Sequence, residues 1–224
     1  MQELNPKVKS LKDWQQLLAD PEKHWKKGYS AYELAHSWMT SSGFPASVDN
    51  VLSNGGFSEF KDLKIDIAYP ERKTNLNDSG RPSQTDLMVF ASGTNGKVVI
   101  GVEGKVDESF GPIVHERYSN EEANRSRLNF LCSQLGLSSD KVEQVRYQLI
   151  HRSVATILEA KNCNAKIALI LVHSFSEKDS SFSDYQHFLE LFNFYSVQIN
   201  KIYGPILLKD ISLFIGWVKD HKSS

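Results

Sequence analysis

Glu103 and Lys105 are two charged residues at the end of an apolar run. The run 98–102 is VVIGV, and β-strand alternation would place the side chains of Glu103 and Lys105 on one face. Asp86 lies in the preceding apolar run, which we expect to form the neighbouring strand of a hairpin. Two carboxylates and an ammonium are expensive to bury without partners or a ligand. The spacing therefore predicts a functional site.

A divalent metal ion is the ligand that this combination of side chains favours. Mg²⁺ prefers hard oxygen ligands, often one or two carboxylates, and completes its shell with water and substrate phosphate. Such an ion lowers the pKa of a bound water and polarises a phosphoryl oxygen. Lys105 would then orient the attacking water or stabilise charge in the transition state. We predict Mg²⁺- or Mn²⁺-dependent phosphodiester hydrolysis, with Asp86 and Glu103 as metal ligands.

The strands that must position these residues are predicted from hydrophobic alternation and turn residues. A Gly-Thr-Asn-Gly segment at 93–96 separates two apolar runs, and an Asn-Gly pair there is a strong hairpin signal. The polar stretch 71–83 predicts a loop. The run 165–175 is rich in Ile, Leu and Val and predicts a buried strand. The expected strands are 63–69, 85–91, 97–106, 165–175 and 202–208.

Helices are predicted before, between and after these strands. Ser30 and Glu33 have the spacing of a capping box at the start of the first helix, which Gly43 and Pro45 would end. The segment 140–161 has apolar residues over most of its circumference, as a buried central helix should. Further helices are expected at 118–135, 182–199 and 210–220. The fold class is α/β, with a central mixed sheet flanked by helices.

The motif Thr85-Asp86 followed by Val102-Glu103-Gly104-Lys105 resembles the signature of the PD-(D/E)XK nuclease superfamily. That superfamily includes restriction endonucleases, RecB-like exonucleases and junction resolvases. The resemblance implies a restriction-endonuclease-like core of order α-β-β-β-α-β, with Asp86, Glu103 and Lys105 as catalytic residues. Thr85 stands where the family often has proline. The predicted element order agrees with this core.

A second resemblance lies in the run 146–152, RYQLIHR, which is similar to the glutamine-bearing helix of the RecB-like members. Gln148 and Arg152 are four residues apart and share a helix face. The resemblance implies that Gln148 assists catalysis and that Arg152 binds substrate. Some members also place a glutamate of the first helix beside the metal, and Glu33 is the matching residue. The wider pattern also resembles small bacterial proteins of nuclease-like sequence.

Length and charge limit how such a protein could bind nucleic acid. We expect a single domain over 1–224, with an N-terminal extension 1–29, a core of about 30–175 and a C-terminal α/β addition of about 180–224. A net charge of −1 excludes binding through bulk positive charge. Any phosphate-binding surface must be a local patch. The candidates for contacts to the backbone of nucleic acid are basic residues near the core: Lys26, Lys27, Arg125 and Arg127.

The protein is expected to be cytoplasmic, with no membrane segment and no disulfide framework. By family analogy, the substrate is DNA and the setting is bacterial restriction or phage defence, with endonuclease and exonuclease action both open. A homodimer or a partner protein would supply sequence specificity. RNA as the substrate remains open as well.

Simpler interpretations stand beside these predictions. Glu103 and Lys105 could occupy a solvated outer face, with an ion pair to Asp86. The capping box alone would explain Glu33, and Arg152 could pair with Glu159. A nuclease-like fold that no longer cuts, and instead binds nucleic acid or protein, is the alternative function.

Overall fold

The computed structural model describes residues 8–76, 80–118 and 125–223, which are organised around one six-stranded mixed sheet. The strand order is β1-β2-β3-β4-β6-β5. The predicted α/β class, with a central mixed sheet flanked by helices, is confirmed. The strands are β1 Lys64–Thr74, β2 Ser83–Gly93, β3 Gly96–Lys105, β4 Ile167–Ser174, β5 Lys201–Leu207 and β6 Ser212–Lys219. The α-helices of the described residues are α1 Leu11–Gln15, α2 Pro21–His24, α3 Ser30–Thr40, α4 Ala46–Asn54, α5 Val114–Tyr118, α6 Arg125–Gln134, α7 Tyr147–Asn162 and α8 Phe182–Glu190.

The predicted hairpin is formed by β2 and β3, which pair antiparallel down to Gly93 opposite Gly96. The two turn residues are therefore Thr94 and Asn95, one position earlier than the Asn-Gly pair suggested. Gly96 adopts a φ of 111°, which is open to glycine and strained for other residues. β4 then runs parallel to β3, β6 runs parallel to β4, and β5 pairs antiparallel with β6.

Helices pack on both faces of the sheet, and two glycines of β3 let them approach closely. A Cβ atom on Gly104 would lie 3.3 Å from the Cβ of Leu34, so α3 covers that face. A Cβ atom on Gly101 would lie 2.0 Å from Oγ1 of Thr156, so α7 covers the opposite face. Glu103 and Lys105, which alternate with Gly104, face α7.

Gly101→Ala is expected to destabilise the fold by about 1–3 kcal/mol, because the new methyl group collides with Thr156 in a packed layer. Urea unfolding should show a lower free energy of unfolding. Adding Thr156→Ala should recover part of that loss, since it removes the Oγ1 atom. Gly43→Ala is the matched control, because a Cβ there meets nothing within 4 Å. Equal stability of Gly101→Ala and Gly43→Ala would contradict the close contact between Gly101 and Thr156.

The predicted helix at 210–220 is wrong, because this segment forms β6 inside the sheet. Residues Leu213 to Val218 are all buried, between β4 on one side and β5 on the other. A strand buried on both faces is apolar throughout, so hydrophobic periodicity does not separate it from a buried helix. The predicted helix at 182–199 ends at Glu190, and left-handed backbone at Asn193 and Ser196 follows it.

Other predicted boundaries also shift. The helix expected at 140–161 begins only at Tyr147, because the carbonyls of Glu143 and Val145 accept hydrogen bonds from His115 and Val114. Residues 119–124 of the helix expected at 118–135 lie outside the described residues. The predicted loop 71–83 is wrong at its start, since β1 continues to Thr74. Residues 77–79 of that loop and residues 1–7 of the N-terminal extension also lie outside the described residues.

No helix in the described part of the chain is both long and apolar enough to cross a membrane.

Candidate active site

The candidate active site lies where β2 separates from β3. The β2–β3 pairing ends at Leu87 opposite Val102, whereas the pairing of β2 with β1 continues to Ser83 opposite Thr74. Asp86 stands at this fork. Its Oδ2 atom accepts a hydrogen bond of 2.9 Å from the backbone N–H of Gly104. That bond holds the Asp86 carboxylate beside the end of β3, next to Glu103.

Glu103 is the centre of a buried network that joins β3 to α7. Its Oε2 accepts a 2.7 Å hydrogen bond from Nε of Arg152. Its Oε1 accepts from Nε2 of Gln148 at 2.5 Å and from Nζ of Lys105 at 3.2 Å. Lys105 also donates to Oε1 of Gln148 at 3.1 Å. The predicted grouping of Glu103, Lys105, Gln148 and Arg152 is therefore present in the structure.

Burial excludes the simpler interpretation of the strand. The side chains of Glu103 and Lys105 are 4% and 5% exposed, so they do not lie on a solvated outer face. The partner of Glu159 is Arg72 rather than Arg152. Burial by itself would raise the pKa of Glu103, but Arg152 and Lys105 outweigh it and hold that pKa below its usual value. Glu103 is therefore held as a carboxylate.

Asp86 has the opposite electrostatic environment. Burial, and then the negative charges of Glu103 and Glu71, raise the pKa of Asp86 well above its usual value. Arg152 and Lys105 oppose this shift without hydrogen bonding to Asp86. Two neighbouring carboxyl groups with opposite pKa shifts are typical of functional sites.

Glu71 is a third carboxyl group at the fork, and the sequence did not single it out. Its Oε2 accepts a 2.8 Å hydrogen bond from Nε2 of Gln84. Burial raises the pKa of Glu71 to about 7, while Gln84 and Arg152 oppose the rise. Its φ of 52° is left-handed, a strained conformation for a residue other than glycine. Backbone strain of this kind is often found at functional sites. In the sequence, the only signal for Glu71 is that it is an acidic residue.

A short hydrogen-bond chain extends the network along α7. Nη1 of Arg152 donates to Oγ of Ser83 at 2.9 Å, and that hydroxyl lies 2.9 Å from Nδ1 of His151. Burial, and then the positive charge of Arg152, lower the pKa of His151 well below its usual value. His151 is therefore neutral, and its Nδ1 shares a hydrogen bond with the Ser83 hydroxyl.

The structure does not bring Glu33, the predicted third metal ligand, together with Asp86 and Glu103. Oε1 of Glu33 accepts from the N–H of Gly28 at 2.7 Å, and its Oε2 accepts from the N–H of Ser223 at 2.6 Å. α3, which carries Glu33, packs on the sheet face opposite α7. The capping box is also wrong, because Tyr29 is the N-cap residue of α3. Glu33 instead ties the loop before α3 to the C-terminal segment.

The four basic residues predicted to contact the backbone of nucleic acid differ in their surroundings. Arg125 forms a 2.8 Å ion pair with Glu143, which uses its guanidinium within the fold. Nε of Arg127 donates to the hydroxyl of Tyr147 at 2.9 Å, beside Gln148. Lys26 lies over the Tyr29 ring, 5.8 Å from its centroid. Lys26 and Lys27 precede α3, and their role in binding stays a prediction.

The donor set fits Mg²⁺ or Mn²⁺ with few protein ligands. In residues 8–76, 80–118 and 125–223, no three His, Cys, Asp or Glu side chains form a group that could hold a metal ion. Mg²⁺ commonly takes only one or two carboxylates together with waters and substrate phosphate. Asp86 and Glu103 supply two carboxylates, and within the described residues Oδ1 of Asp86 accepts no hydrogen bond. A cation would also relieve the excess of three carboxyl groups over the two cations Lys105 and Arg152.

A serine, a histidine and an aspartate also meet on the other face of the sheet. Nε1 of Trp38 donates to Nδ1 of His173 at 3.1 Å, so Nε2 of His173 carries the proton and donates to Asp220 at 3.1 Å. Ser47 donates to the same Asp220 oxygen at 2.7 Å. A catalytic triad needs the serine and the acid on different ring nitrogens. Here both contact Nε2, so the cluster fastens the end of β6 to α3 and α4.

This cluster predicts that the fold loses stability in mild acid. Burial lowers the pKa of His173, although Asp220 opposes the shift. The unfolded chain takes up a proton near pH 6.5 and the folded chain does not, so stability falls as the pH drops below that value. The expected slope is at most about 1.4 kcal/mol per pH unit for this one group. His173→Gln should reduce the slope of unfolding free energy against pH, whereas the exposed control His24→Gln should not. Identical slopes in all three proteins would contradict this account.

Asp220 extends the same dependence to stronger acid. Burial alone would raise its pKa, but hydrogen bonds from His173 and Ser47 outweigh burial and lower the pKa to about 2. The contribution of Asp220 to the free energy of unfolding is complete above about pH 3.8 and is lost as the pH falls towards 2.

Comparison with protein families gives one match, to the family described as a domain of unknown function, DUF6946, over residues 7–222. No curated protein and no solved structure matches the chain. Because the family match covers nearly all of the 224 residues, the chain belongs to the DUF6946 family.

Proposed function

We propose that this protein is a Mg²⁺- or Mn²⁺-dependent nuclease that hydrolyses phosphodiester bonds in DNA. The observation that carries the proposal is the buried network of Glu103, Lys105, Gln148 and Arg152 beside Asp86. Its residues come from two strands and one helix, in the pattern of the PD-(D/E)XK signature. We therefore propose that the family belongs to that superfamily, with a cytoplasmic, bacterial setting.

Each side chain has a role that follows from its contacts. Glu103 is kept ionised by Arg152, and Asp86 is fixed by Gly104, so both can offer carboxylate oxygens to one ion. The ion, when bound, lowers the pKa of water and polarises the scissile phosphate. Lys105 can place its ammonium against the attacking water or the developing phosphate charge.

Gln148 and Arg152 act through their neighbours. Gln148 bridges Lys105 and Glu103, so it fixes the position of the lysine ammonium relative to the carboxylate. Arg152 holds Oε2 of Glu103 and also reaches Ser83. Glu71 adds negative charge beside Asp86 and is not one of the proposed metal ligands. Glu33 has no part in this proposal.

A second function is favoured by one specific observation. Both oxygens of Glu103 are already bound by Arg152, Lys105 and Gln148. A fold in which Arg152 and Lys105 have taken the place of the metal would bind nucleic acid or protein without cutting. This nuclease-like binding module would show no carboxylate-dependent affinity for Mg²⁺ or Mn²⁺.

Cleavage of a mixed substrate set tests the proposed function. Linear, circular and single-stranded DNA and an RNA should each be incubated with the protein in Mg²⁺, in Mn²⁺ and in EDTA. We expect cutting that requires metal and is lost in Asp86→Asn. Asp66→Asn is the matched control, because Asp66 is exposed on β1 and bonds Ser92 rather than the cluster. Cutting that survives Asp86→Asn would contradict the assignment of the site, and no cutting of any substrate would favour the binding module.

A further inference from the structure

A groove of about 480 Å³ opens beside Lys105, between the segment that follows β3 and the first turns of α7. We call it the Arg117 groove. It shares Lys105 and Gln148 with the proposed active site, whereas Asp86, Glu103 and Glu71 do not line it. The residues that matter for its chemistry are Lys105, Phe110, Arg117, Tyr147, Gln148 and His151.

Lys105 belongs both to the buried network and to this groove. Its ammonium lies 4.6 Å from the centroid of the Phe110 ring, which is fully buried. Glu103 and Gln148 hold the same ammonium on its other side. A ligand in the groove would therefore be in reach of the lysine that we place next to the reacting phosphate.

Arg117 supplies a second positive charge at the rim of the groove. Its guanidinium is exposed and lies over the Tyr147 ring, 5.7 Å from the centroid. The hydroxyl of Tyr147 accepts a 2.9 Å hydrogen bond from Nε of Arg127, so arginines contact both the face and the hydroxyl of one ring. Since burial keeps His151 neutral by lowering its pKa, the charge that lines the groove comes from Lys105 and Arg117.

We propose that the Arg117 groove binds the sugar-phosphate backbone of nucleic acid next to the phosphate that is cut, with Arg117 contacting a neighbouring phosphate. This inference rests on the proposed nuclease function. A chain with a net charge of −1 needs a local basic surface to hold nucleic acid. The Arg117 groove provides one that is continuous with the site. An exposed guanidinium fixed over an aromatic ring is also well placed for paired hydrogen bonds to phosphate.

The test measures binding of a short fluorescein-labelled DNA duplex, and of the matching single strand, by fluorescence anisotropy. Ca²⁺ replaces Mg²⁺ because it takes the same kind of oxygen ligands. Arg117→Gln should weaken binding of the preferred DNA by about five- to tenfold and reduce the slope of log affinity against log salt by about one. Arg117→Lys should recover part of the affinity. Lys201→Gln removes one charge from an exposed residue on β5, the far edge strand, and should leave binding within about twofold.

The outcomes separate this inference from the proposed function. If the wild type cleaves DNA and Arg117→Gln binds it as tightly as Lys201→Gln does, the proposed binding in the Arg117 groove is overturned. The proposed nuclease function would still stand. No binding and no cleavage by the wild type would overturn both. Equal losses of DNA affinity in Arg117→Gln and Lys201→Gln would show only a general effect of charge. That result would also overturn the proposed binding in the Arg117 groove. Thermal unfolding of each variant shows whether a loss of binding reflects a loss of fold.

Discussion

Lys105→Ala is expected to reduce metal-dependent cleavage by about 10²- to 10³-fold, because it removes the charge placed to stabilise the transition state. The same change should not weaken metal binding. Lys105 is a cation 3.2 Å from Oε1 of Glu103, where it competes with a metal ion for that carboxylate. The single-turnover cleavage rate and a calorimetric Mn²⁺ titration measure the two effects separately.

The matched control is Lys97→Ala, which removes an exposed lysine from the other end of the same strand. It should leave both the cleavage rate and the Mn²⁺ affinity close to the wild-type values. If Lys105→Ala lost metal affinity together with activity, the lysine would be maintaining the site rather than acting on the reaction. If Lys105→Ala cleaved DNA at the wild-type rate, the reaction would take place at another site.

Arg152→Met should have the largest effect on stability, lowering the free energy of unfolding by about 3–5 kcal/mol in EDTA. The arginine side chain is 11% exposed, and its removal leaves Oε2 of Glu103 without its 2.7 Å partner. Ser83 also loses a donor. Mg²⁺ or Mn²⁺ should restore part of this stability, because a cation that binds only the folded state stabilises it.

Arg125→Met provides the comparison, since Arg125 also pairs with a glutamate but is 42% exposed. Ion pairs at such positions contribute about 0–1 kcal/mol, so urea unfolding should detect little change. Equal losses in Arg125→Met and Arg152→Met would contradict a special role for the buried pair. A large loss in Arg152→Met that no metal relieves would favour the binding module.

The sequence predicted those parts of the site in which local geometry fixes side-chain direction. Strand alternation places Glu103 and Lys105 on one face, and helical spacing places Gln148 and Arg152 together. Asp86 required only that the hairpin be recognised. These short-range relations hold within each element, and the packing of α7 on that face of β3 then brings the five residues together.

Residues whose positions depend on tertiary packing were not predictable in the same way. Glu33 has the residue type and helix position expected of a metal ligand, but α3 packs on the opposite face of the sheet. There the Glu33 carboxylate accepts hydrogen bonds from the N–H groups of Gly28 and Ser223. The polar sequence around Glu71 predicts a loop, because sequence does not reveal that β1 continues through a left-handed residue. The sequence of β6 predicts a helix, since only its place between β4 and β5 explains why it is apolar throughout.

Calorimetric titration of Mn²⁺ into the wild type and into Asp86→Asn/Glu103→Gln tests the central claim most directly, because it needs no knowledge of the substrate. The account predicts saturable binding by the wild type that disappears in the double variant, while Asp66→Asn binds like the wild type. Binding of equal affinity in the double variant, or no binding by the wild type, would contradict a metal site at Asp86 and Glu103.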